Sequence, residues 1–122
     1  TVSVVETCRP LGELEVHPAH LTAVRLDRLR RADAIVRRIS EESGFDATIW
    51  QFPVVLIPLG TPERPDSVVL RPIDSVDGMT ARAVRIPADT LARMTRELMG
   101  VEGIAGVFCD LTNKPPATIE WE

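Results

Sequence analysis

Tyrosine is absent from this chain of 122 residues, aromatic side chains make up 4% of it, and only two cysteines, Cys8 and Cys109, occur. Two cysteines make no disulfide framework, so a reducing, cytoplasmic setting is expected. No apolar run approaches the length of a signal-peptide core or a spanning helix, which points away from a membrane. Cations are outnumbered: 14 Lys and Arg stand against 18 Asp and Glu, for a net charge of −4 and a pI near 5.2. Nucleic acid is therefore not an expected partner, because such ligands need clustered, uncompensated Lys and Arg. No nucleophile is paired with a base in a recognisable motif, so no catalytic residue is assigned. His17, His20 and Cys8 do not form a zinc spacing, and no metal ligand is assigned either.

The residues that are present, 44% hydrophobic and 26% charged, fit one globular unit. Thr1 is compatible with a processed N-terminus and equally with a cut in a longer chain. Residues 1–21 form a poorly patterned segment whose apolar alternations at Val2 and Val4 and at Leu14 and Val16 suggest a short hairpin. Over 22–43, Leu26, Leu29, Ile35, Val36 and Ile39 recur at helical spacing, and Gly44 ends the helix. Its arginines, from Arg25 to Arg38, are interleaved with Asp27, Asp33, Glu41 and Glu42, the pattern of a solvated, salt-bridged surface.

Two apolar, β-branched runs, 49–59 and 67–76, read as strands joined by a loop over 60–66. Pro53, Pro58 and Pro72 must occupy strand ends, bulges or edges, since they cannot donate to a ladder. Pro87 opens a second helix with Leu91, Met94, Leu98 and Val101 on one face, closed by Gly100 or Gly103. Gly100, Gly103 and Gly106 follow a helix and precede a strand, the reverse of a phosphate-cradling order. Residues 107–111 and 118–121 complete an α-β-β-α-β-β order. The expected fold is α+β, a two-layer sandwich with an antiparallel sheet and both helices on one face.

Four stretches carry a family resemblance: RLDRLRRADAIV (25–36), WQFPVVL (50–56), DGMTA (77–81) and, most specific of all, the terminal KPPATIEWE (114–122). Together, over 22–122, they resemble the C-terminal dimerisation domain of GMP synthetase, the enzyme that amidates xanthosine monophosphate (XMP) to GMP with glutamine nitrogen and ATP. The resemblance implies the fold just described, a homodimer, and a share of the XMP pocket. It also implies ATP pyrophosphatase and glutamine amidotransferase domains as partners, in a longer chain or as separate subunits. Neither is encoded in these 122 residues, so ATP and Mg are not cofactors of this chain. The alternative is a stand-alone, non-catalytic homodimeric paralogue with a structural or regulatory role.

By the same resemblance Lys114 contacts the XMP phosphate, Ile119 and Glu120 close over the nucleotide, and Gln51 points toward the purine. A Lys followed by two prolines offers an ammonium on a turn with little conformational entropy left to lose. Arg71 invites a phosphate role, but a strand Arg more often pairs across the ladder, here with Asp110 or Glu120. Two departures stand out. Gly78 replaces a usual Phe, removing about 3–5 kcal/mol of packing unless the space is refilled. Gly106 replaces a usual phosphate-reaching Arg, a contact of roughly 1.5–3 kcal/mol, so binding of XMP or GMP is expected to be weak.

Overall fold

The computed structural model describes residues 2–75 and 82–112. Its elements run β1 (Val2–Thr7), a 3-10 turn (Leu11–Glu13), β2 (Glu15–Val16), α1 (Ala23–Ser43), a second 3-10 turn (Phe45–Thr48), β3 (Val54–Ile57), β4 (Leu59–Gly60), β5 (Asp66–Leu70), β6 (Ile73–Asp74), β7 (Arg82–Ala83), α2 (Ala88–Met99) and β8 (Ile104–Asp110).

Helix α1 starts where its capping chemistry places it. The Thr22 side chain accepts a hydrogen bond from the Arg25 N–H at 3.1 Å, and Gly44 takes the left-handed conformation, φ 79°, that terminates a helix at no steric cost. Pro87 immediately precedes α2, and the Gly100 N–H closes it onto Glu97 and Leu98 carbonyls. The prolines also cut the two long apolar runs. Pro53 and Pro58 bound β3 and set it apart from β4, and Pro72 separates β5 from β6.

The main sheet has the order β1-β8-β5-β3. Its outer pairs, β1 with β8 and β3 with β5, are antiparallel. The central pair, β5 with β8, is parallel. The α+β two-layer class stands, but the sheet is mixed where a wholly antiparallel one was expected. The reason is the α2 crossover: a strand that leaves the sheet, passes through a helix and returns beside itself must run parallel.

The two apolar N-terminal alternations do form strands, yet they do not make the expected hairpin with each other. β1 pairs with β8, and β2 pairs with β4. The expected strand 118–121 lies outside the described residues.

Both helices cover one sheet face. Ala32, Val36 and Ile39 of α1 and Met94 and Leu98 of α2 pack with Val68, Leu70, Val107 and Cys109, all buried. The opposite face carries the alternate residues, including Val69 and Phe108, also buried. A surface network joins the helices: Glu42 accepts from Arg93 at 2.6 Å and from Arg38 at 3.5 Å, and Arg38 also pairs with Glu97. The Arg93 hydrogen bond is the main cause that holds the Glu42 carboxyl below the ordinary carboxylate range.

The arginine-rich face of α1 is only in part the solvated surface expected. Arg31 pairs with Asp27 and Arg37 with Asp33, each at 2.8 Å and one turn apart. Arg25 and Arg28 instead turn inward to Asp66, whose side chain is 1% exposed, at 3.0 and 2.5 Å. Arg28 donates further to the Glu102 carbonyl at 2.8 Å, and the Asp66 N–H donates to the Gly103 carbonyl at 3.0 Å. This cluster ties α1 to the start of β5 and to the turn before β8. A Cβ on Gly103, at φ 89°, would overlap the Arg28 guanidinium. No helix among the described residues is long and apolar enough to cross a membrane.

Candidate functional site

Of the residues expected to meet a nucleotide, Lys114, Ile119 and Glu120 lie outside the described residues, as does Gly78. Gln51 is described. It sits between the Phe45–Thr48 turn and β3, and its backbone is bridged to Ile73: its N–H donates to the Ile73 carbonyl at 3.2 Å and its carbonyl accepts from the Ile73 N–H at 2.9 Å. The Trp50 N–H shares the same carbonyl at 3.0 Å. On its other side this segment is pinned by Phe52, whose ring meets Phe45 edge-on with centroids 5.9 Å apart. Gln51 is therefore held on a fixed strand entry, with its side chain exposed.

Gln51 lines a cleft of about 270 Å³ between the C-terminal half of α1 and the segment 45–52. From the helix come Asp33, Arg37, Ser40 and Glu41, and from the turn comes Asp46. Trp50, 46% exposed, forms part of the wall. Asp33 is compensated by Arg37. The Ser40 hydroxyl is buried with no hydrogen-bond partner among the described residues. A helical Ser often bonds the carbonyl one turn back, and this one does not. Sequence reading missed Ser40, Glu41 and Asp46 as cleft residues, since only the packing of the 3-10 turn against α1 brings them together. The signal available was weak: Gly44 forces the chain to double back at that point.

Arg71 behaves as the ladder argument anticipates. It is 1% exposed, and its Nε lies 3.5 Å from the Asp110 carboxylate across the parallel pair. Gly106 is buried in β8, and a Cβ there would meet Phe108 and Thr7 at 3.1 Å and the Ser67 hydroxyl at 3.2 Å. The position thus faces packed side chains on the second sheet face. Cys109 is buried, and desolvation raises its thiol to about 11, so it is no nucleophile near neutral pH. Cys8 is exposed.

These features define a class: a two-layer α+β domain with a parallel central pair and an open polar cleft at one strand entry. The chain belongs to the GMP synthase C terminal domain family, whose model matches residues 37–121. It is 45% identical over 96 residues to a probable glutamine-hydrolysing GMP synthase of Leptospira interrogans, covering 79% of this chain and 16% of that protein. It is 43% identical to the glutamine-hydrolysing GMP synthase of Leifsonia xyli, over 84% of this chain and 22% of the relative. The corresponding protein of Maridesulfovibrio salexigens is also 43% identical, over 93% of this chain and 22% of its own length. The chain spans less than a quarter of the length of these relatives.

Proposed function

We propose that this chain is the part of a glutamine-hydrolysing GMP synthase that pairs subunits and contributes to the XMP site, acting with pyrophosphatase and amidotransferase domains that lie elsewhere. The observation that carries this reading is the family match over 37–121, which spans every nucleotide-facing residue the sequence suggests. The placement of Gln51 on a fixed strand entry beside an open cleft supports its role toward the purine. Lys114 supplies the cation for the phosphate, and Ile119 and Glu120 close over the nucleotide.

Subunit pairing draws support from the apolar surface that the fold leaves open. Val68 to Leu70 are fully covered within the chain, because β5 lies between β8 and β3. Open apolar surface on the main sheet includes the β1 margin, with Val2 and Val4 about half exposed, and the half-buried β3.

The test is calorimetric titration of XMP into the chain and into Lys114→Ala. Weak binding that falls with salt and is lost in the variant is expected, because one ammonium carries the phosphate contact. Submicromolar binding indifferent to Lys114 would refute this assignment.

A further inference from the structure

Arg71 directly follows β5 and Asp110 ends β8, and besides facing each other both hold the backbone of Thr112, just beyond the sheet. The Thr112 N–H donates to Asp110 Oδ1 at 2.9 Å, and the Thr112 carbonyl accepts from Arg71 Nη2 at 3.5 Å. Arg71 Nε stands 3.5 Å from Asp110 Oδ2, with the two side chains only 1% and 5% exposed, so the charges are little screened by salt. The Arg71 main chain reaches the other way. Its N–H donates to the Pro53 carbonyl at 3.1 Å, and two residues further on Ile73 is bonded to Gln51. One buried arginine thus stands between the strand entry that carries Gln51 and the exit from β8.

A buried charge pair is an inefficient way to stabilise a sheet, since apolar residues of similar size are often as stabilising or more so. Apolar residues offer neither donor nor acceptor, however, and cannot hold both polar groups of one peptide backbone. The segment held in this way leads to Lys114, two residues after Thr112 and the only lysine of the sequence. Two residues carry a chain no further than about 7 Å, so the direction in which Thr112 leaves the sheet limits where that ammonium can be delivered. We propose that Arg71 and Asp110 are positioning residues, a buried clamp that aims the Lys114 segment at the nucleotide phosphate; the proposal rests on the reading that Lys114 meets the phosphate of XMP. Neither member of the clamp touches the nucleotide. Both act through the direction of the chain, in a site whose contacts must be held to within about 0.5 Å to be effective.

The experiment uses the full chain grown with isotope-labelled lysine, which gives a single lysine spin system by NMR. XMP is titrated into wild type, Arg71→Met/Asp110→Val and Arg71→Lys, with calorimetry at low and high salt in parallel and urea unfolding as the check on stability. The double variant exchanges the pair for apolar side chains and removes both bonds to Thr112. Arg71→Lys keeps a cation opposite Asp110 but loses the planar fork that reaches two partners, and it decides the matter if the double variant does not fold. In wild type, XMP is expected to shift the lysine side-chain signal. The double variant should bind XMP at least ten-fold more weakly and with a smaller salt dependence, and Arg71→Lys about three-fold more weakly. A pair with a structural role alone would move the unfolding midpoint and leave XMP affinity, its salt dependence and the lysine shift unchanged in the folded variants. That result overturns the clamp and leaves the phosphate reading standing. A lysine signal that ignores XMP in wild type overturns the phosphate reading, and the clamp with it.

Discussion

Removing the charge of Asp66 tests the buried anchor of α1. The carboxylate is 1% exposed and is shared by Arg25 and Arg28, which are 20% and 11% exposed at their side chains. Asp66→Asn keeps the shape and one acceptor but leaves two guanidiniums without an anion. Breaking a buried pair from one side costs roughly 3–5 kcal/mol. Arg28 keeps the Glu102 carbonyl, and Arg25 has some access to water, so the low end, about 3 kcal/mol, is expected. For a domain of this size that corresponds to a fall in Tm of roughly 10 °C. Urea unfolding followed by far-ultraviolet circular dichroism reads it directly, with an unchanged slope if only stability has moved. Gly103→Ala should act on the same unit, since its Cβ displaces Arg28. The double variant is therefore expected to lose less than the sum of the two single variants. A loss below about 1 kcal/mol for Asp66→Asn, or strict additivity with Gly103→Ala, would refute the coupled cluster.

Four further outcomes follow from packing, charge and the proposed pairing of subunits. Gly106→Arg, which on sequence grounds restores a phosphate cation, should destabilise the chain by about 1–3 kcal/mol without tightening XMP, because the new side chain enters a space already bounded by Phe108, Thr7 and Ser67; urea unfolding and calorimetry check both parts. A thiol reagent at pH 8 should label Cys8 rapidly and Cys109 only after unfolding, and mass spectrometry of the Cys8→Ser variant separates the two. The Cys109 thiol is raised from 9.0 to about 11 by burial, so its contribution is complete below pH 9 and is lost as the pH climbs toward 11, and Cys109→Ala should flatten stability across that window. Light scattering at micromolar protein should give the mass of a dimer, and a monomer mass would contradict the proposed pairing of subunits.

Local signals were the readable ones. Thr22, the apolar spacing through Ile39 and Gly44 bounded α1 from the sequence, because capping and periodicity act within a turn or two of the chain. Pro53, Pro58 and Pro72 announced interrupted strands for an equally local reason. The pairing of β1 with β8 could not be read, since register between strands about a hundred residues apart depends on tertiary packing and not on either strand alone. The parallel central pair was hidden for a related reason: the α-β-β-α-β-β order admits more than one sheet arrangement. At the candidate site, Gln51 was singled out by its WQFPV context. Ser40 and Glu41 on α1 and Asp46 on the 3-10 turn were not, because each looks like an ordinary polar residue until the turn is folded against the helix.

The partnership of β1 with β8 also sets a timetable. During synthesis Val2–Thr7 leaves the ribosome well ahead of the strand that completes its ladder, which begins at Ile104. At roughly 5–20 residues per second the gap is on the order of 5–20 s. β5 waits as well, for its β8 side is filled by the same late strand. Until then the nascent chain carries an apolar strand edge on each side of an unoccupied central lane, the kind of edge that invites pairing with a neighbouring chain. Ribosomes queued on one message would present such edges to each other, so this topology leaves the nascent chain open to mispairing until β8 is made.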